Sequence, residues 1–472
     1  MIPTTGRYSM EYNTSMITLP QSAKFIIDTL KTAGFEAFAV GGSVRDLLMG
    51  LETLGWDFTT NATPEQILEL FPDSFYDNQF GTVGVKIREP ASAKASAGEA
   101  EVTDIYEITT YRSEEGYKDH RHPDKISWGK TIDEDLARRD FTINAIAFDG
   151  KALVDPYNGQ KDIKEKLIRA VRDPDERFAE DALRMLRAVR FAASFGFTIE
   201  EHTTHAVKNH ASELINISAE RIRDEFFKIL IAPHAADAVL VLKNLGLLHF
   251  ILPELEVAFA TPQKSPLRHH IYDVGTHSVM AMKHCPSDDP IVRLATLIHD
   301  LGKVKTFRQD ATGLITFYNH EVVSARIAKD VAKRMRLSRK DTETLYTLVR
   351  WHQFSVDERQ TDSALRRFIR RVGVERLSKI LALRIGDRLG GGATETSWRL
   401  ELYKQRLVEV QKQPFTVTDL NVDGHDVMKI LGVSPSPAIG KALDTLFAQV
   451  EAGTLPNERE ALLKHLEELK GN

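Results

Sequence analysis

Apolar positions along the chain switch between helical and strand-like periods before settling into a helical one. Ala23, Ile26, Leu30 and Ala33 recur at helical spacing and predict a helix over 23–33, preceded by a loose arm over 1–22. The short apolar run Ala37–Val40 stops at Gly41-Gly42, which reads as a strand entering a tight turn, and Ser43–Leu48 resumes helical spacing. Runs rich in β-branched and aromatic residues at Trp56–Thr60, Thr82–Ile87 and Ile105–Tyr111 predict three further strands. Between the last two, Pro90–Ala100 is a near-repeat of small residues with nothing to bury, and reads as a flexible hairpin tip. A polar stretch, Ser113–Lys130, precedes Thr131–Asp140 and an apolar segment, Phe141–Phe148. From about Asp173 the period becomes helical throughout, as in Ala182, Leu186, Val189 and Ala193, or Ile222, Phe226, Ile229 and Leu230. The pattern predicts a mixed α/β head of about 150 residues followed by helical domains.

Composition narrows this picture only in places. A chain of 472 residues, 42% hydrophobic and 27% charged, has the make-up of a soluble globular protein of several domains, which excludes a disordered or fibrous one. With 62 Lys+Arg against 67 Asp+Glu, the net charge of −5 excludes a globally basic nucleic-acid coat but leaves local basic patches open. The single cysteine, Cys285, excludes a disulfide framework and a cysteine-based zinc site. No apolar run approaches the roughly 18 residues of a membrane span. The first residues lack the features of a signal peptide. The expectation is a cytoplasmic protein without a membrane partner, its oligomeric state open.

Candidate chemistry begins at Gly41-Gly42-Ser43-Val44-Arg45-Asp46. Missing Cβ atoms let a backbone approach phosphate, and the forked donors of Arg45 suit phosphate oxygens. The run GGSVRDLLMG, followed five residues later by WDFTT, resembles the signature of class II tRNA nucleotidyltransferases, the family of CCA-adding enzymes and bacterial poly(A) polymerases. That resemblance implies a nucleotide site at Gly42 and Arg45, and a D-x-D pair holding Mg²⁺ for in-line displacement on a triphosphate. Asp57 fits the second carboxylate, while Gly55 stands at the first. Glu107 is a candidate third acidic group, and the head is expected to be catalytically impaired by Gly55. The segment Asp135–Ala147 resembles the family's R-R-D-F-T-x-N-A-x-A motif, which implies triphosphate and ribose contacts from Arg139, Asp140 and Asn144. Arg177–Arg190 resembles its E-D-x-x-R helix. Asp181 and Arg184, three apart, are expected on one helical face, where the resemblance implies that they select C and A over G and U. Arg187 and Arg190 continue the stripe toward the triphosphate. Ser218–Phe226 matches a later segment that supports the helical neck, its charges read as structural.

A second constellation comprises His277, the His299-Asp300 pair and Asp387. Imidazole and carboxylate converging from neighbouring helices suit Mn²⁺, Ni²⁺, Fe or Mg²⁺ and leave positions for water and phosphate. The run Leu294–Lys303, ending HDLGK, is similar to the HD phosphohydrolase superfamily with its order H…HD…D, and Lys303 is placed to neutralise a phosphate. Asn319-His320-Glu321 resembles a segment found after the His-Asp pair, so His320 is read as an added ligand or a group behind the ligands. His269, His270, His284 and His352 show no comparable spacing and read as ordinary. From about Pro414 the chain resembles the tail that holds the tRNA elbow.

Together these readings imply an α+β protein. A polymerase beta-like nucleotidyltransferase head (23–165) is followed by an all-α neck (166–260), an HD-type domain (261–412) and a tRNA-binding tail (413–472). The implied activity is addition of C, C and A to tRNA 3′ ends from CTP and ATP. The alternatives are a poly(A) polymerase or specialised CC- or A-adding enzyme, and a degenerate head attached to an active phosphohydrolase domain.

Overall fold

The computed structural model describes residues 18–53, 55–78, 81–88, 102–115, 125–263, 272–411 and 417–470. Most of the predicted arm, the Pro90–Ala100 tip, and His269 and His270 lie outside them. The chain divides into two compact units, Met1–Ile251 and Leu252–Asn472.

In the first unit, α1 (Gln21–Thr32) starts directly after Pro20, so the arm ends earlier than expected. Its buried face, Ala23, Ile26, Ile27 and Leu30, packs on the sheet residues Phe58, Val83, Val85 and Ile108. Full burial of such a side chain stabilises by about 1.5–3 kcal/mol. β1 (Ala37–Val40), α2 (Gly42–Leu48), β2 (Asp57–Thr60) and α3 (Pro64–Leu70) follow in order. A Thr63–Gln66 capping box and Pro64 in the first turn start α3. Next come β3 (Ser74–Asn78), β4 (Thr82–Arg88) and β5 (Val102–Thr110). Part of the polar stretch forms an antiparallel hairpin, β6 (Arg112–Glu115) with β7 (Lys125–Trp128). The predicted apolar segment 141–148 becomes a 3₁₀ turn at Thr142–Asn144 between α4 (Ile132–Ala137) and β8 (Ala147–Phe148), the latter paired with β9 (Leu153–Val154). The seven-stranded sheet has the order β3-β4-β5-β2-β1-β8-β9. β2 and β5 pair in parallel, whereas β1 flanks β2 antiparallel.

Beyond the sheet, α5 (Gly159–Glu165) and β10 (Leu167–Ile168) lead into α6 (Pro174–Glu180) and α7 (Leu183–Phe195). β11 (Thr198–Ile199), α8 (Glu201–His210), α9 (Ala219–Ile231), α10 (Ala235–Asn244) and α11 (Leu248–Ile251) complete the unit.

The second unit is helical apart from a small hairpin. It comprises α12 (Pro253–Ala258), α13 (Val274–Lys283), α14 (Pro290–Ile298), α15 (Lys303–Thr306), hairpin strands β12 (Arg308–Gln309) and β13 (Ile315–Thr316), α16 (His320–Arg334), α17 (Arg339–Trp351), α18 (Asp362–Val372), α19 (Leu377–Gly390), α20 (Trp398–Val410), α21 (Gly424–Leu431), α22 (Pro437–Glu451) and α23 (Arg459–Lys470). α13 and α19 approach unusually closely. A Cβ on Gly386 would lie 2.5 Å from the Ala281 carbonyl oxygen, and one on Gly390 2.4 Å from the Ala281 nitrogen. The last three helices close a separate apolar cluster around Val427, Leu446, Leu462 and Leu466.

Candidate functional site

The head's candidate site sits where three strands end together. Antiparallel register sets Val40 opposite Asp57, which brings the turn after β1 to the start of β2. Gly41 has φ 75°, and a Cβ there would lie 2.8 Å from Arg139 Nη1 and 3.9 Å from Asp57 Oδ2. Both its backbone conformation and this close approach require glycine. Parallel register pairs Asp57 with Glu107, so the two carboxyl-bearing side chains stand side by side on one sheet face. Asp57 is open to solvent, yet desolvation by the surrounding protein raises its pKa against the pull of Arg139. Gly55 precedes the strand, its φ is outside the left-handed region, and a Cβ there would meet nothing within 4 Å. Nothing in the local fold demands glycine at that position.

Behind these groups runs a buried polar network. Arg45 turns inward rather than toward a ligand: Nε and Nη2 donate to Asp46 at 2.9 and 2.7 Å, and Nη1 donates to Asn144 Oδ1 at 2.6 Å. Asn144 Nδ2 donates to Asp140 Oδ1 at 3.0 Å, and Arg187 Nε donates to Asp140 Oδ2 at 2.8 Å. Burial opposes ionisation of Asp140, but Arg187 and Asn144 outweigh it and hold its pKa far below the usual range. Asp135, fully buried, accepts from Arg138 at 2.6 Å and from Arg139 at 3.1 Å. Arg139 is thereby aimed toward Asp57, with its Nε left without a partner.

Asp181 and Arg184 do not share a helical face. The helix breaks between Glu180 and Leu183, and Asp181 is extended at φ −148° and ψ 101°. Its short carboxylate caps the new helix, accepting from the Leu183 N–H at 3.0 Å, the kind of local bond that competes with a continuous helix. Asp181 Oδ2 accepts from Arg221 Nη2 at 2.7 Å, while Arg184 donates to Glu180 at 2.9 Å and to the Arg138 carbonyl at 3.2 Å. Arg190 pairs with Glu225 at 2.7 Å. Helix α9 therefore holds this region at Asp181 and at Arg190, in line with the structural reading of Ser218–Phe226.

In the second unit His277, His299, Asp300 and Asp387 converge. His277 Nε2 lies 3.4 Å from Asp300 Oδ2 and 3.2 Å from Asp387 Oδ1, and His299 Nε2 lies 3.3 and 3.5 Å from the same atoms. His320 Nε2 and His352 Nε2 face the other Asp300 oxygen at 3.1 and 3.7 Å. His299, His320 and His352 each donate Nδ1–H to a carbonyl three residues earlier, Thr296, Phe317 and Val349, at 2.7, 2.9 and 2.7 Å. In the neutral rings this leaves Nε2 as a lone pair aimed at carboxylate oxygens, and His299 Nε2 has no hydrogen-bond partner. A cation satisfies that arrangement, and two triads fit one: His277, His299 and Asp300, and Asp300, His320 and His352. Burial opposes a charge on His299, but without a cation Asp300 and Asp387 override it and raise its pKa to about 10, so a proton on Nε2 stands where a bound cation would replace it; burial lowers the pKa of His352. Lys303 Nζ is bound to Asp300 and Gln263, both at 2.6 Å, rather than facing an entry for phosphate.

Residues 37–169 match the poly(A) polymerase head domain, 196–259 a probable RNA- and SrmB-binding site of polymerase A, and 267–389 the HD domain. A CCA-adding enzyme from Levilactobacillus brevis is 32% identical over 94% of this chain and 96% of its own length. The chain belongs to the family of CCA-adding tRNA nucleotidyltransferases. An A-adding tRNA nucleotidyltransferase from Deinococcus radiodurans is 33% identical over 92% of this chain and 97% of its own. A CCA-adding enzyme from Lactobacillus helveticus reaches 48% identity, but that match spans 45% of this chain and 50% of the relative, about half its length. The crystal structure of a Bacillus stearothermophilus CCA-adding enzyme in complex with CTP superposes with a TM-score of 0.70 at 28% identity, covering 96% of this chain and 97% of that one.

In this tRNA nucleotidyltransferase family member, the expected residues fall into two environments. Asp57, Glu107 and Arg139 gather at the start of β2 beside β5, in the middle of the sheet, whereas Arg45, Asn144 and Asp140 form a bonded chain beneath them. His352, read as ordinary from its spacing, instead joins the metal-type cluster. A signal for it was present: Leu345, Leu348, Val349 and His352 continue one buried helical face, so a histidine there points inward. Among the described residues, no helix is long and apolar enough to cross a membrane.

Proposed function

We propose that this chain adds C, C and A to tRNA 3′ ends from CTP and ATP, as a family member with a weakened catalytic head. The observation that carries this reading is the grouping of Asp57, Glu107 and Arg139 at the Gly41 turn, within a chain matched along nearly its whole length by a CCA-adding enzyme. The desolvated carboxylate of Asp57 beside Glu107 suits Mg²⁺, with Gly55 leaving the set one ligand short of the family pattern. When bound there, Mg²⁺ supplies charge neutralisation for the triphosphate and for the attacking 3′-oxygen. Arg139 offers a cation to the triphosphate from beside Asp57 at the Gly41 turn. Asp181 and Arg184 read the base edge, Asp181 steadied by Arg221 and Arg184 by Glu180. Arg187 and Arg190 line the approach, while Gly42, Arg45, Asp140 and Asn144 act mainly by fixing the turn and Arg187 in place.

The second unit supports a divalent-metal phosphohydrolase site in which Asp300 is shared by both triads, with Mn²⁺, Ni²⁺ or Mg²⁺ as the candidate ions and a phosphomonoester or 2′,3′-cyclic phosphate as substrate. A buried, unpaired Cys285 fits a reducing, cytoplasmic setting. Incubation with tRNA lacking CCA and labelled CTP and ATP tests the main reading: C followed by A supports it, and long A tails favour a poly(A) polymerase. Silence in the head with phosphatase activity retained would favour the degenerate-head alternative, for which Gly55 is the specific observation.

A further inference from the structure

We propose that Arg384 is the phosphate-anchoring residue of the HD-type cluster, so that the ligand taken there is a terminal phosphate oxyanion held between the cluster and this guanidinium. The proposal rests on the metal reading of that cluster. His277, His299, Asp300, His320 and His352 are between 0% and 6% exposed, which seals the cluster on most sides. The side chains of Asp387 and Arg384 remain 22% and 24% exposed, so the cluster opens on the side these two residues occupy. A ligand arriving there meets Arg384 and Asp387 together.

Arg384 also has donors to offer. Its Nη1 reaches Asp387 Oδ2 at 3.3 Å, longer than the roughly 2.7–2.9 Å of a well-formed charge-assisted bond. Its Nε is buried without a hydrogen-bond partner. The guanidinium carbon lies 5.5 Å from the centroid of the Phe354 ring, which stacks on Tyr403 at 5.4 Å, so the group is held by an aromatic wall without being saturated. Other nearby cations are committed. Lys303 is pinned between Asp300 and Gln263, Arg350 faces Glu321 at 3.6 Å, and Arg388 donates to the Thr394 carbonyl at 3.1 Å. A planar fork held by only one long bond, partly open to solvent next to a metal-type carboxylate, is the arrangement that can turn to take two oxygens of a tetrahedral phosphate.

The full-length protein is loaded with Mn²⁺, its metal content is measured, and binding of inorganic phosphate is followed by calorimetry in the parent, Arg384→Ala and Arg384→Lys. The expected result is unchanged metal content, a loss of phosphate affinity of about 10- to 100-fold in Arg384→Ala, and a partial loss in Arg384→Lys, which keeps the charge but not the fork. If the alanine variant does not fold, the lysine variant carries the comparison. Phosphate affinity equal to the parent's in a metal-loaded variant overturns the proposal. So does loss of metal from both variants, which would make Arg384 a brace for Asp387. A parent protein that takes up no metal overturns the reading of the cluster itself, and this proposal with it.

Discussion

Gly55→Asp restores a carboxylate two residues before Asp57, and the structure allows it without strain. A Cβ there meets nothing within 4 Å, and the residue does not use the left-handed backbone that glycine alone favours. The substitution lies in an exposed segment outside the strand, so its effect on stability should stay within about 0.5 kcal/mol. Its effect on rate should be far larger. A unit charge pair about 4 Å apart near a protein surface is worth about 4 kcal/mol at an effective dielectric near 20. Removal of one preorganised electrostatic group typically costs about 10²–10³ in rate, or about 2.7–4 kcal/mol, which is the same scale. Single-turnover addition of labelled C and A to tRNA lacking CCA, at saturating Mg²⁺, should therefore rise about 100- to 1,000-fold. Nucleotide KM should move little, because Arg139, Asp181 and Arg184 are untouched. The new charge also disfavours ionisation of Asp57, whose pKa is already raised by desolvation. Activity that needs ionised Asp57 is lost as pH falls through that raised pKa, so the acidic limb of the profile should move upward in the variant. A folded variant with the parent's rate at saturating Mg²⁺ would show that position 55 does not face the metal site, and the assignment of the missing ligand would be wrong.

Arg221→Gln removes the 2.7 Å pair that steadies Asp181 and should reduce discrimination against UTP and GTP several-fold at a stability cost of about 1–3 kcal/mol, since the pair is largely shielded from water; an unchanged incorporation ratio in the folded variant would count against Asp181 as a base reader held by α9. Gly390→Ala places a Cβ 2.4 Å from the Ala281 nitrogen and should cost about 1–3 kcal/mol in thermal or urea unfolding while lowering metal content, because α13 carries His277 and α19 carries Asp387; a parent-like melt and metal content would refute the close-packing argument. His352→Ala should lower the metal bound per chain after Mn²⁺ loading and leave nucleotide addition unaltered; full metal content would remove His352 from the ligand set.

Strands with a strong β-branched or aromatic signal were legible: all three runs read that way, and the apolar run Ala37–Val40 as well, enter the seven-stranded sheet. β3 was not, because Phe75 and Tyr76 remain partly exposed at 37% and 45% and its partner sits across a turn, so its sequence carries no alternating core pattern. The candidate carboxylates Asp57 and Glu107 were legible as residue types, but their adjacency was not. It arises from parallel pairing of segments about fifty positions apart, and register between distant strands is fixed by tertiary packing rather than local propensity. The helix break at Asp181 was hidden for the opposite reason. Spacing of three is compatible with a continuous helix, and only the capping bond to Leu183 shows that the carboxylate chose the alternative. In the second unit the HDLGK run announced a cluster, yet the second triad depends on His352, whose contribution emerges only when α17 and α16 are seen to meet the same aspartate.

On the proposed reading, the charges around α7 act through such adjacency. Arg184 is paired with Glu180, Arg187 with Asp140, Arg190 with Glu225, and Asp181 with Arg221. The partners come from the end of α6 just before α7 (Glu180), from the segment after α4 (Asp140) and from α9 (Arg221 and Glu225), and the pairs are mostly shielded from water. Pairs of this kind recover little more than the cost of removing two charges from solvent, so they are a weak source of stability. Their effect is geometric: a long arginine that would otherwise sample many rotamers is held in one. A template made of side chains needs that restriction, because a base edge is told from its competitor only if donors and acceptors cannot rearrange to suit both. The same reasoning explains why Arg221, which need not touch a nucleotide, is expected to affect its choice. It also explains why Arg45 and Asn144 matter through the positions of Asp140 and Arg187: beneath the turn, the buried network transmits the placement of the glycine loop to the first turns of α7.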